Sequence, residues 1–312
     1  MLIISRDKIV GEKNIRREQI KELEYHAHGD CVHVGKISRG CKTCFVRNMY
    51  SSFAVYTGCE CNVSCGYCYY EKNRNDQMWD TADKVKNNLA DLYAMTVDGK
   101  TDFSEITYNS FGETLRYPAI IKEASDLIKR WEKDHDKRVY NHLYTNGILA
   151  DKEMLEFLKD CGVIELRFHP SASFFSDKVM KNMKTASEMG FVVSVEEPSL
   201  PENKSAIIEK MPYFNEIGVK HMNLVECQVT SFNRGYLEYK YPNGKIFRDN
   251  LWHLYDEGMV YDIIEEKINN NYSFSVLDCS SRVECCRETK QITRVPELLD
   301  TAMMDGACAD FV

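Results

Sequence analysis

Three cysteines in one short loop are the residues of this chain best placed to do chemistry. They stand at Cys61, Cys65 and Cys68 in the stretch TGCECNVSCGYCYYEK, with three and then two residues between them. Thiolates are ligands for soft metals, and three of them can hold three irons of a [4Fe–4S] cluster. One iron then stays open to bind a substrate or a cofactor. A zinc knuckle is the competing interpretation of this spacing.

Alternating strands and helices must position this loop. A strand pattern, SFAVYTG, directly precedes it, and five more follow along the chain: SEITYNS, RVYNHLYT, VIELRFH, FVVSVEEP and VKHMNLVE. Strands that alternate with helices predict a parallel sheet with helices packed outside it. Ligands of such folds bind at the carboxyl ends of the strands, where the loop lies. The sequence therefore predicts an α/β fold built on a partial (β/α)6 barrel.

Helical spacing of apolar residues fills the gaps between these strands. Asp151 is placed to cap one helix and Gly162 to end it. The other helices are predicted near 14–26, around Val85, Leu89, Leu92 and Met95, around Ile120, Ala124, Leu127, Ile128 and Trp131, and at 176–189, 204–211 and 250–269. A strand, YSFSVL, and a last helix close the chain. The predicted segments are an N-terminal arm of 1–50, a core barrel of 51–228 and a C-terminal α+β extension of 229–312.

Composition narrows the class of protein. The chain has 312 residues, of which 44% are hydrophobic, so it can bury the core of one elaborated domain. A net charge of −8 without a long basic run disfavours nucleic acid as a partner. Thirteen cysteines without a secretory signal disfavour a disulfide framework. No apolar run reaches membrane-spanning length, so we expect a soluble, cytoplasmic protein without a membrane partner.

The cysteine loop resembles the C-x3-C-x2-C signature of the radical S-adenosylmethionine (SAM) superfamily. In CNVSCGYC the aromatic Tyr67 stands before the last cysteine, as it does in that family. The resemblance implies that the open iron of a [4Fe–4S] cluster binds the amino and carboxylate groups of SAM. An electron from the cluster would then split SAM into methionine and a 5′-deoxyadenosyl radical, which takes hydrogen from a substrate.

Segments at the ends of later strands extend the resemblance. SFGETLRYP is similar to the family's G-G-E-P segment: Gly112 and Glu113 match, whereas Phe111 and Thr114 differ. The resemblance implies that Glu113 holds the SAM ammonium group. YTNG is similar to the family's usual end of the third strand. Further SAM-binding residues are implied at Thr145, Asn146, Arg167, His169, Ser194, Glu196 and Asn223. Each of them has the alternative interpretation of a polar group at the rim of a barrel.

Cysteines outside the core suggest a second metal site. Cys41 and Cys44 form a C-x2-C pair, and Cys279 ends the tail strand. In several radical SAM subfamilies such cysteines bind a second, auxiliary iron–sulfur cluster. The alternatives are uncoordinated thiols and a zinc site that also uses residues near the pair, which are His26, His28, Cys31 and His33. In a cluster, one iron is either open or bound by Cys31, Cys285 or Cys286.

Residues on and after the sixth strand, and segments near both ends of the chain, do not identify the substrate. Cys227 is either a hydrogen donor, as cysteines are in radical SAM epimerases, or a buried structural thiol. VGKISRGCKTC, MNLVE and DCSSRVE resemble a little-characterised branch named for its likeness to pyruvate formate-lyase activating enzymes. The expected partners are a small-molecule, sugar-containing or peptide substrate and an electron donor such as flavodoxin or ferredoxin. The alternatives are an iron–sulfur electron-transfer protein and a zinc-stabilised interaction module.

Overall fold

One large mixed sheet organises the chain. The structure, a computed structural model, describes residues 1–25, 31–41, 52–70, 87, 89–94, 104–248 and 252–279. In chain order its strands are β1 Leu2–Ile3, β2 Glu24–Tyr25, β3 Val32–Val34, β4 Ser52–Tyr56, β5 Glu105–Asn109, β6 Tyr140–Thr145, β7 Glu165–Phe168, β8 Val192–Pro198, β9 His221–Val225, β10 Cys227–Val229, β11 Lys245–Arg248, β12 Trp252–Leu254 and β13 Ser275–Cys279. The larger sheet has the strand order β2-β3-β13-β9-β8-β7-β6-β5-β4.

The six strands predicted from the sequence form the parallel part of this sheet. Strands β4 to β9 pair in sequence order, each parallel to the next. Strand β13 adds a further parallel strand beside β9, and β3 then pairs with β13 in the antiparallel direction. The α/β fold class is confirmed. The two predicted flanking segments meet at one side of the sheet, because β3 comes from the arm and β13 from the extension.

Helices alternate with many of these strands along the chain. They are α1 Arg6–Gln19, α2 Pro118–His135, α3 Lys152–Asp160, α4 Asp177–Glu188, α5 Asn203–Glu216, α6 Arg234–Lys240 and α7 Met259–Asn269. In α2 the apolar residues recur at helical spacing, and Ile121, Ala124, Ile128 and Trp131 are buried. The predicted cap of α3 is confirmed, since the Asp151 carboxylate accepts a hydrogen bond from the backbone N–H of Met154 at 3.0 Å.

Alternation along the strands separates an apolar face from a polar one. Phe168, Val195, Met222 and Val276 lie in one row across four strands, and all are buried in the main core. The neighbouring row on the opposite face is polar, because successive side chains of a strand point to opposite sides. It contains Tyr144, Arg167, Ser194, His221 and Ser275. This buried polar face is the interior that a barrel of this class encloses.

Several element boundaries differ from the prediction. The first helix was predicted near 14–26 but runs from Arg6 to Gln19. Ser5 caps its N-terminus and accepts a hydrogen bond from the backbone N–H of Lys8 at 3.4 Å. The helix predicted at 250–269 begins only at Met259, because residues 252–254 form β12. Strand β12 belongs to a second sheet, β1-β11-β12-β10, which the sequence did not predict.

Other predictions fall partly on undescribed residues or stay predictions. Residues 89–94 are helical, as predicted, whereas Val85 and Met95 lie outside the described residues. The predicted last helix also lies outside them. The segment boundaries at 50 and 228 stay predictions, although β3 and β13 join the same sheet as the core strands. Within the described parts of the chain, no helix is both long and apolar enough to cross a membrane.

Candidate active site

The cysteine loop lies where the parallel strands end. The loop begins after β4 with Thr57. The backbone N–H of Thr57 donates to the carbonyl of Asn109, the last residue of β5, over a distance of 2.9 Å. Cys61 is exposed, and Cys65 and Cys68 are half-buried. The backbone N–H of Cys68 donates to the carbonyl of Cys65 at 3.3 Å, so a turn brings these two residues together. The three thiols are therefore accessible at the carboxyl edge of the sheet.

The segment after β5 packs directly against the cysteine loop. The backbone N–H of Glu113 donates to the carbonyl of Glu60 at 2.9 Å, and that of Phe111 donates to the carbonyl of Gly58 at 2.9 Å. Between them, a Cβ added to Gly112 would overlap the carbonyl group of Glu60. Glycine is required here because the two backbones touch, which gives this part of the predicted motif a physical reason.

Two other residues predicted to bind SAM, Thr145 and Asn146, contact the carboxylate of Glu113. Its Oε1 accepts hydrogen bonds from the Thr145 hydroxyl at 2.6 Å and the backbone N–H of Leu115 at 3.0 Å. Its Oε2 accepts from the backbone N–H of Asn146 at 2.7 Å. Burial raises the pKa of Glu113 despite these bonds. A carboxylate has about four lone-pair sites, so one of them remains for a further donor.

Asn146 connects the end of β6 to the first cysteine. Its Nδ2 donates to Oδ1 of Asn62 at 2.7 Å and lies 3.9 Å from Sγ of Cys61. Burial raises the pKa of the Cys61 thiol, and the bond from Asn146 acts in the opposite direction. An amide N–H beside a sulfur stabilises the thiolate, which is the form that binds metal. Asn146 therefore supports Cys61 as a ligand.

The donor set of this edge fits an iron–sulfur cluster with an adjacent cofactor. Three accessible thiols lie on one loop, and the glycine cradle at Gly112 keeps that loop against the buried Glu113. Sulfur ligands select soft metals and iron–sulfur clusters. Among the residues that the structure describes, no group of three Cys, His, Asp or Glu side chains is arranged to hold a metal ion.

Tyr67 and His169 meet on the other side of the loop. The Tyr67 hydroxyl lies 2.9 Å from Nε2 of His169 and 3.0 Å from Oγ of Ser171. The Tyr67 carbonyl accepts a hydrogen bond from Nδ2 of Asn233 at 2.9 Å, so the segment after β10 supports the loop. Burial raises the pKa of the Tyr67 hydroxyl, which stays protonated.

Arg167 lies deeper in the polar interior and is only 2% exposed. Its guanidinium donates to Glu165 at 3.0 Å and to the Tyr144 hydroxyl at 3.1 Å. It also donates to the Ser38 hydroxyl at 2.6 Å and to Sγ of Cys41 at 3.4 Å. The N-terminal arm thus enters the interior of the core and contacts Arg167 from within.

The other predicted strand residues belong to the same network. Ser194 donates to Glu165 at 2.7 Å, and Asn223 donates to Glu196 at 2.9 Å. Glu196 also lies 3.5 Å from Arg167. Buried Oδ1 of Asn223 has no hydrogen-bond partner, which leaves one acceptor for a ligand. The structure therefore brings Ser194, Glu196 and Asn223 together with Arg167.

A second group of thiols lies beside this network. Cys31, Cys41 and Cys279 are buried in one apolar cluster with Ile37 and Leu277. Sγ of Cys41 lies 3.2 Å from Nε2 of His221. Burial raises the pKa of Cys41 to about 12, against the influence of Arg167.

Some of the residues suggested for the second site are placed differently or are not described. Buried His33 has its Nδ1 2.9 Å from the carbonyl of Gly35. The residues outside the described part of the chain are His26, His28, Cys44, Cys285 and Cys286. For Cys44 the predicted role as a metal ligand therefore stays a prediction.

Cys227 lies close enough to the cysteine loop for Cys68 to influence its pKa. It lies on β10 in an apolar cluster with Val229, Leu237 and Trp252, and half-buried Tyr67 packs against that cluster. Burial raises the pKa of Cys227 to about 12. Its role as a hydrogen donor stays a prediction, and its surroundings are those of a structural thiol.

Sequence reasoning missed several residues of these networks. Four of them are Ser38, Ser171, Glu197 and His221. His221 could have been found, because its place in strand VKHMNLVE shares the face of Asn223. Glu197 follows Glu196, and by alternation its side chain belongs to the opposite face of the strand. No sequence pattern therefore indicated that it has a role at the carboxyl edge of the sheet.

Comparison with known proteins defines the class. The family model for the radical SAM superfamily matches residues 55–211, so this chain belongs to that superfamily and is a radical SAM enzyme. Membership of this superfamily favours the predicted radical SAM enzyme over the alternatives of an electron-transfer protein and a zinc-stabilised module.

Individual relatives are more distant. A Methanocaldococcus jannaschii protein named as a glycyl-radical enzyme activating enzyme is 25% identical over 212 residues, which is 65% of this chain. The chain spans about half the length of that curated relative, at 53%. The structure of native anSMEcpe with bound AdoMet matches with a TM-score of 0.53 and 14% identity, over 83% of this chain and 68% of that one. Streptococcus suis SuiB bound to S-adenosylmethionine matches with a TM-score of 0.44 and 17% identity, over 60% of this chain and 43% of that one.

Proposed function

We propose that this chain holds a [4Fe–4S] cluster with Cys61, Cys65 and Cys68, binds SAM beside it and abstracts hydrogen from a polypeptide substrate. The observation that carries the proposal is the meeting of three segments at one edge of the sheet. The cysteine loop, the turn at Gly112 and the end of β6 at Asn146 are joined by direct hydrogen bonds. These three segments come from separate parts of the chain, and each was predicted to serve the same cofactor.

The residues of this edge have distinct tasks. Glu113 offers its remaining lone pair to the SAM ammonium group, in a buried setting that strengthens the charge-assisted bond. Asn146 directs an amide toward Cys61 and supports it as a thiolate. The cluster, when bound, would supply the electron that splits SAM and releases the 5′-deoxyadenosyl radical. The protein's own contribution is to orient the reactants and exclude water.

Iron content and SAM cleavage test the cysteine assignment together. Changing Cys61, Cys65 and Cys68 to Ala should remove about four irons per chain after anaerobic reconstitution and abolish formation of 5′-deoxyadenosine. Cys161→Ala is the matched control, since Cys161 is a buried thiol at the end of α3, away from this edge. A triple variant that still produces 5′-deoxyadenosine would contradict the proposal.

The relative's name favours a polypeptide over a small molecule as the substrate. A protein named as an activating enzyme for glycyl-radical enzymes acts on a protein. Small metabolites and sugar-containing molecules are the competing substrates. Fully deuterated cell protein and deuterated metabolite extract should each be incubated with enzyme, SAM and reduced flavodoxin or ferredoxin. We expect deuterium in 5′-deoxyadenosine from the protein fraction, and deuterium from the metabolite fraction alone would exclude a polypeptide.

A second iron–sulfur cluster at Cys41, Cys44 and Cys279 is a further part of the proposal. The burial of Cys41 and Cys279 in one cluster supports it, because chain ends more than two hundred residues apart bring thiols together there. We expect about eight irons per chain, of which the Cys41→Ala, Cys44→Ala variant should lose about half. Saturation at about four irons with stoichiometric zinc would assign a structural zinc site instead. Four irons without zinc would leave these thiols uncoordinated.

A further inference from the structure

Four side chains form a hydrogen-bonded chain from the cysteine loop into the protein. Tyr67 contacts His169 and Ser171 at 2.9 and 3.0 Å, as described above. Ser171 contacts Glu197 twice: its hydroxyl bonds to Oε2, and its backbone N–H donates to Oε1 at 2.8 Å. Ser171 and Glu197 are buried, with 5% and 0% exposure, so water does not compete for these bonds.

The ring of His169 sets the direction of the chain. The backbone of Glu196 acts to raise the pKa of His169, which is the effect of a carbonyl oxygen that faces a ring N–H. A carbonyl oxygen only accepts, so the ring nitrogen that faces it carries the hydrogen. Burial lowers the pKa of His169 to about 4, so the ring is neutral at pH 7 and its Nε2 is an acceptor. Tyr67 therefore donates to His169, and the Tyr67 oxygen is free to accept from Ser171.

Ser171 has one hydroxyl hydrogen, and Glu197 decides where it goes. A carboxylate at Glu197 would accept that hydrogen, whereas a protonated carboxyl group donates to Ser171. The Ser171 hydrogen is then left for Tyr67 at 3.0 Å, because Nε2 of His169, which lies 3.2 Å from Oγ of Ser171, already accepts from Tyr67. Burial raises the pKa of Glu197 to about 8, so the protonated form dominates at pH 7. The charged or titratable groups that face Glu197 are Glu196 on its own strand and Tyr67 on the cysteine loop.

We propose that Ser171 and Glu197 are positioning residues that hold the Tyr67 hydroxyl, and with it the cysteine loop, through a directed chain from Glu197 to Ser171, Tyr67 and His169. In this arrangement every hydrogen of the chain has an acceptor. The inference rests on the proposed function of the loop, because Tyr67 directly precedes Cys68. Neither residue touches the thiols, so both act through Tyr67.

This arrangement predicts how activity depends on pH. As pH rises through about 8, Glu197 ionises and takes the Ser171 hydrogen, and Tyr67 loses its donor. A single group with this pKa is about 90% protonated at pH 7 and about 10% protonated at pH 9. We therefore expect SAM cleavage by the wild type to fall about tenfold between these pH values, with an increase in KM for SAM.

Glu197→Gln is the decisive variant, because a glutamine amide imitates the protonated acid. Its NH2 donates to Ser171 and its carbonyl accepts the Ser171 backbone N–H, and it cannot ionise. We expect SAM cleavage within about twofold of the wild type at pH 7 and at least about fivefold above it at pH 9. Ser171→Ala breaks the chain and should lower activity at both pH values. Glu188→Gln, an exposed change on α4, should retain the wild-type pH profile.

Infrared spectroscopy of the protein without cluster provides a readout that does not depend on activity. The C=O stretch of a protonated carboxyl group should be present at pH 7 in the wild type and absent from Glu197→Gln, and the difference should titrate near pH 8. Glu188→Gln should leave this band in place.

The outcomes separate this inference from the proposed function. A wild type that cleaves no SAM would overturn the proposed function, while the infrared titration would still test the state of Glu197. A wild type that cleaves SAM, with a Glu197→Gln variant whose activity declines equally above pH 8, would overturn the directed chain. An infrared difference that is absent at pH 7 would also overturn it, because Glu197 would then already be ionised.

Discussion

The two groups of cysteines in this chain occupy opposite environments. Cys61 and its loop partners lie at the open carboxyl edge of the sheet, exposed or half-buried. Cys41 and Cys279 lie among apolar side chains beside Arg167, and both are less than a tenth exposed. The first group can bind a cofactor that must also reach a substrate, whereas a metal at the second would be enclosed by the fold. Spacing in the sequence predicted the first group and suggested the second, and the meeting of the chain ends brings Cys31, Cys41 and Cys279 of the second group into one cluster.

The largest effect that would test this contrast is expected at Arg167, on which the enclosed region depends. Arg167→Met leaves the Glu165 carboxylate buried without its guanidinium, and we expect a loss of about 3–5 kcal/mol in the free energy of unfolding. Chemical denaturation at pH 7 measures it, with Arg138→Met as the control, since that side chain is 91% exposed. A loss below 1 kcal/mol would show that the interior is hydrated rather than enclosed.

The pH dependence of this variant sharpens the same test. Burial would raise the pKa of Glu165, but Arg167 holds it down to about 2 in the wild type. A depressed pKa adds stability that is present above the usual pKa of a carboxyl group and is lost only as pH falls toward 2. Without Arg167 the burial term dominates, so the variant should instead become more stable as pH falls from 7 to 5. The wild type also gains stability over this range, because burial raises the pKa of Glu197 to about 8, so the test is a larger gain in the variant than in the wild type.

Chemical modification should separate the two groups of thiols in one experiment. In reduced protein without metal, iodoacetamide should modify Cys61 at least about a hundredfold faster than Cys41. Cys41 is 3% exposed, and burial raises its pKa to about 12, so both access and thiolate content are low. Peptide mass spectrometry over time gives the rates. Cys161 serves as an internal control for a buried thiol. Equal rates at Cys61 and Cys41 would contradict the enclosure of the second group.

Glu113 tests whether the open edge binds SAM as proposed. Glu113→Gln removes the negative charge, and a bond to a charged group contributes about 1.5–3 kcal/mol. We expect SAM affinity to fall roughly ten- to a hundredfold, measured by equilibrium binding to reconstituted protein, with cluster content unchanged. Glu153→Gln, at an exposed position in α3, is the control. Unchanged affinity would show that Glu113 does not bind SAM and serves only through its hydrogen bonds with Thr145 and Asn146.

Local signals predicted most of the architecture and the nearer part of the site. Strand patterns found β4 to β9 because alternation and apolar runs are properties of short segments. The motif at Gly112 and Glu113 was recognised because few other residue types can replace a glycine and an acidic residue at such a turn. Asp151 was recognised as a cap because a single side chain and its helix supply the whole interaction.

Long-range pairing was beyond the sequence. Strand β12 was wrongly predicted as part of a helix. Its three residues form a strand because they pair with β10 and β11, and their own sequence pattern does not indicate this pairing. Ser38 gave no signal, because its contact with Arg167 depends on the arm entering the interior. The second group of cysteines was suggested by the C-x2-C pair and by Cys279, and Cys31 was considered as a ligand of zinc or of the cluster, whereas its apolar surroundings were not predicted.

The smallest expected effect tests how firmly the open edge is held. Nδ2 of Asn146 donates to Oδ1 of Asn62 at 2.7 Å, which ties the cysteine loop to the end of β6 near a partly exposed surface. A neutral hydrogen bond contributes about 0.5–1.5 kcal/mol, so Asn62→Ala should slow SAM cleavage by about two- to tenfold. Asn62→Asp keeps the acceptor atom and should recover most of this loss, measured as 5′-deoxyadenosine formed per cluster. If both variants behave like the wild type, the loop is held by its other bonds, which are those to the Gly112 turn and those of Tyr67. If Asn62→Ala abolishes cleavage, the open edge depends on single side chains as strongly as the enclosed region depends on Arg167, and the contrast between the two regions would not hold.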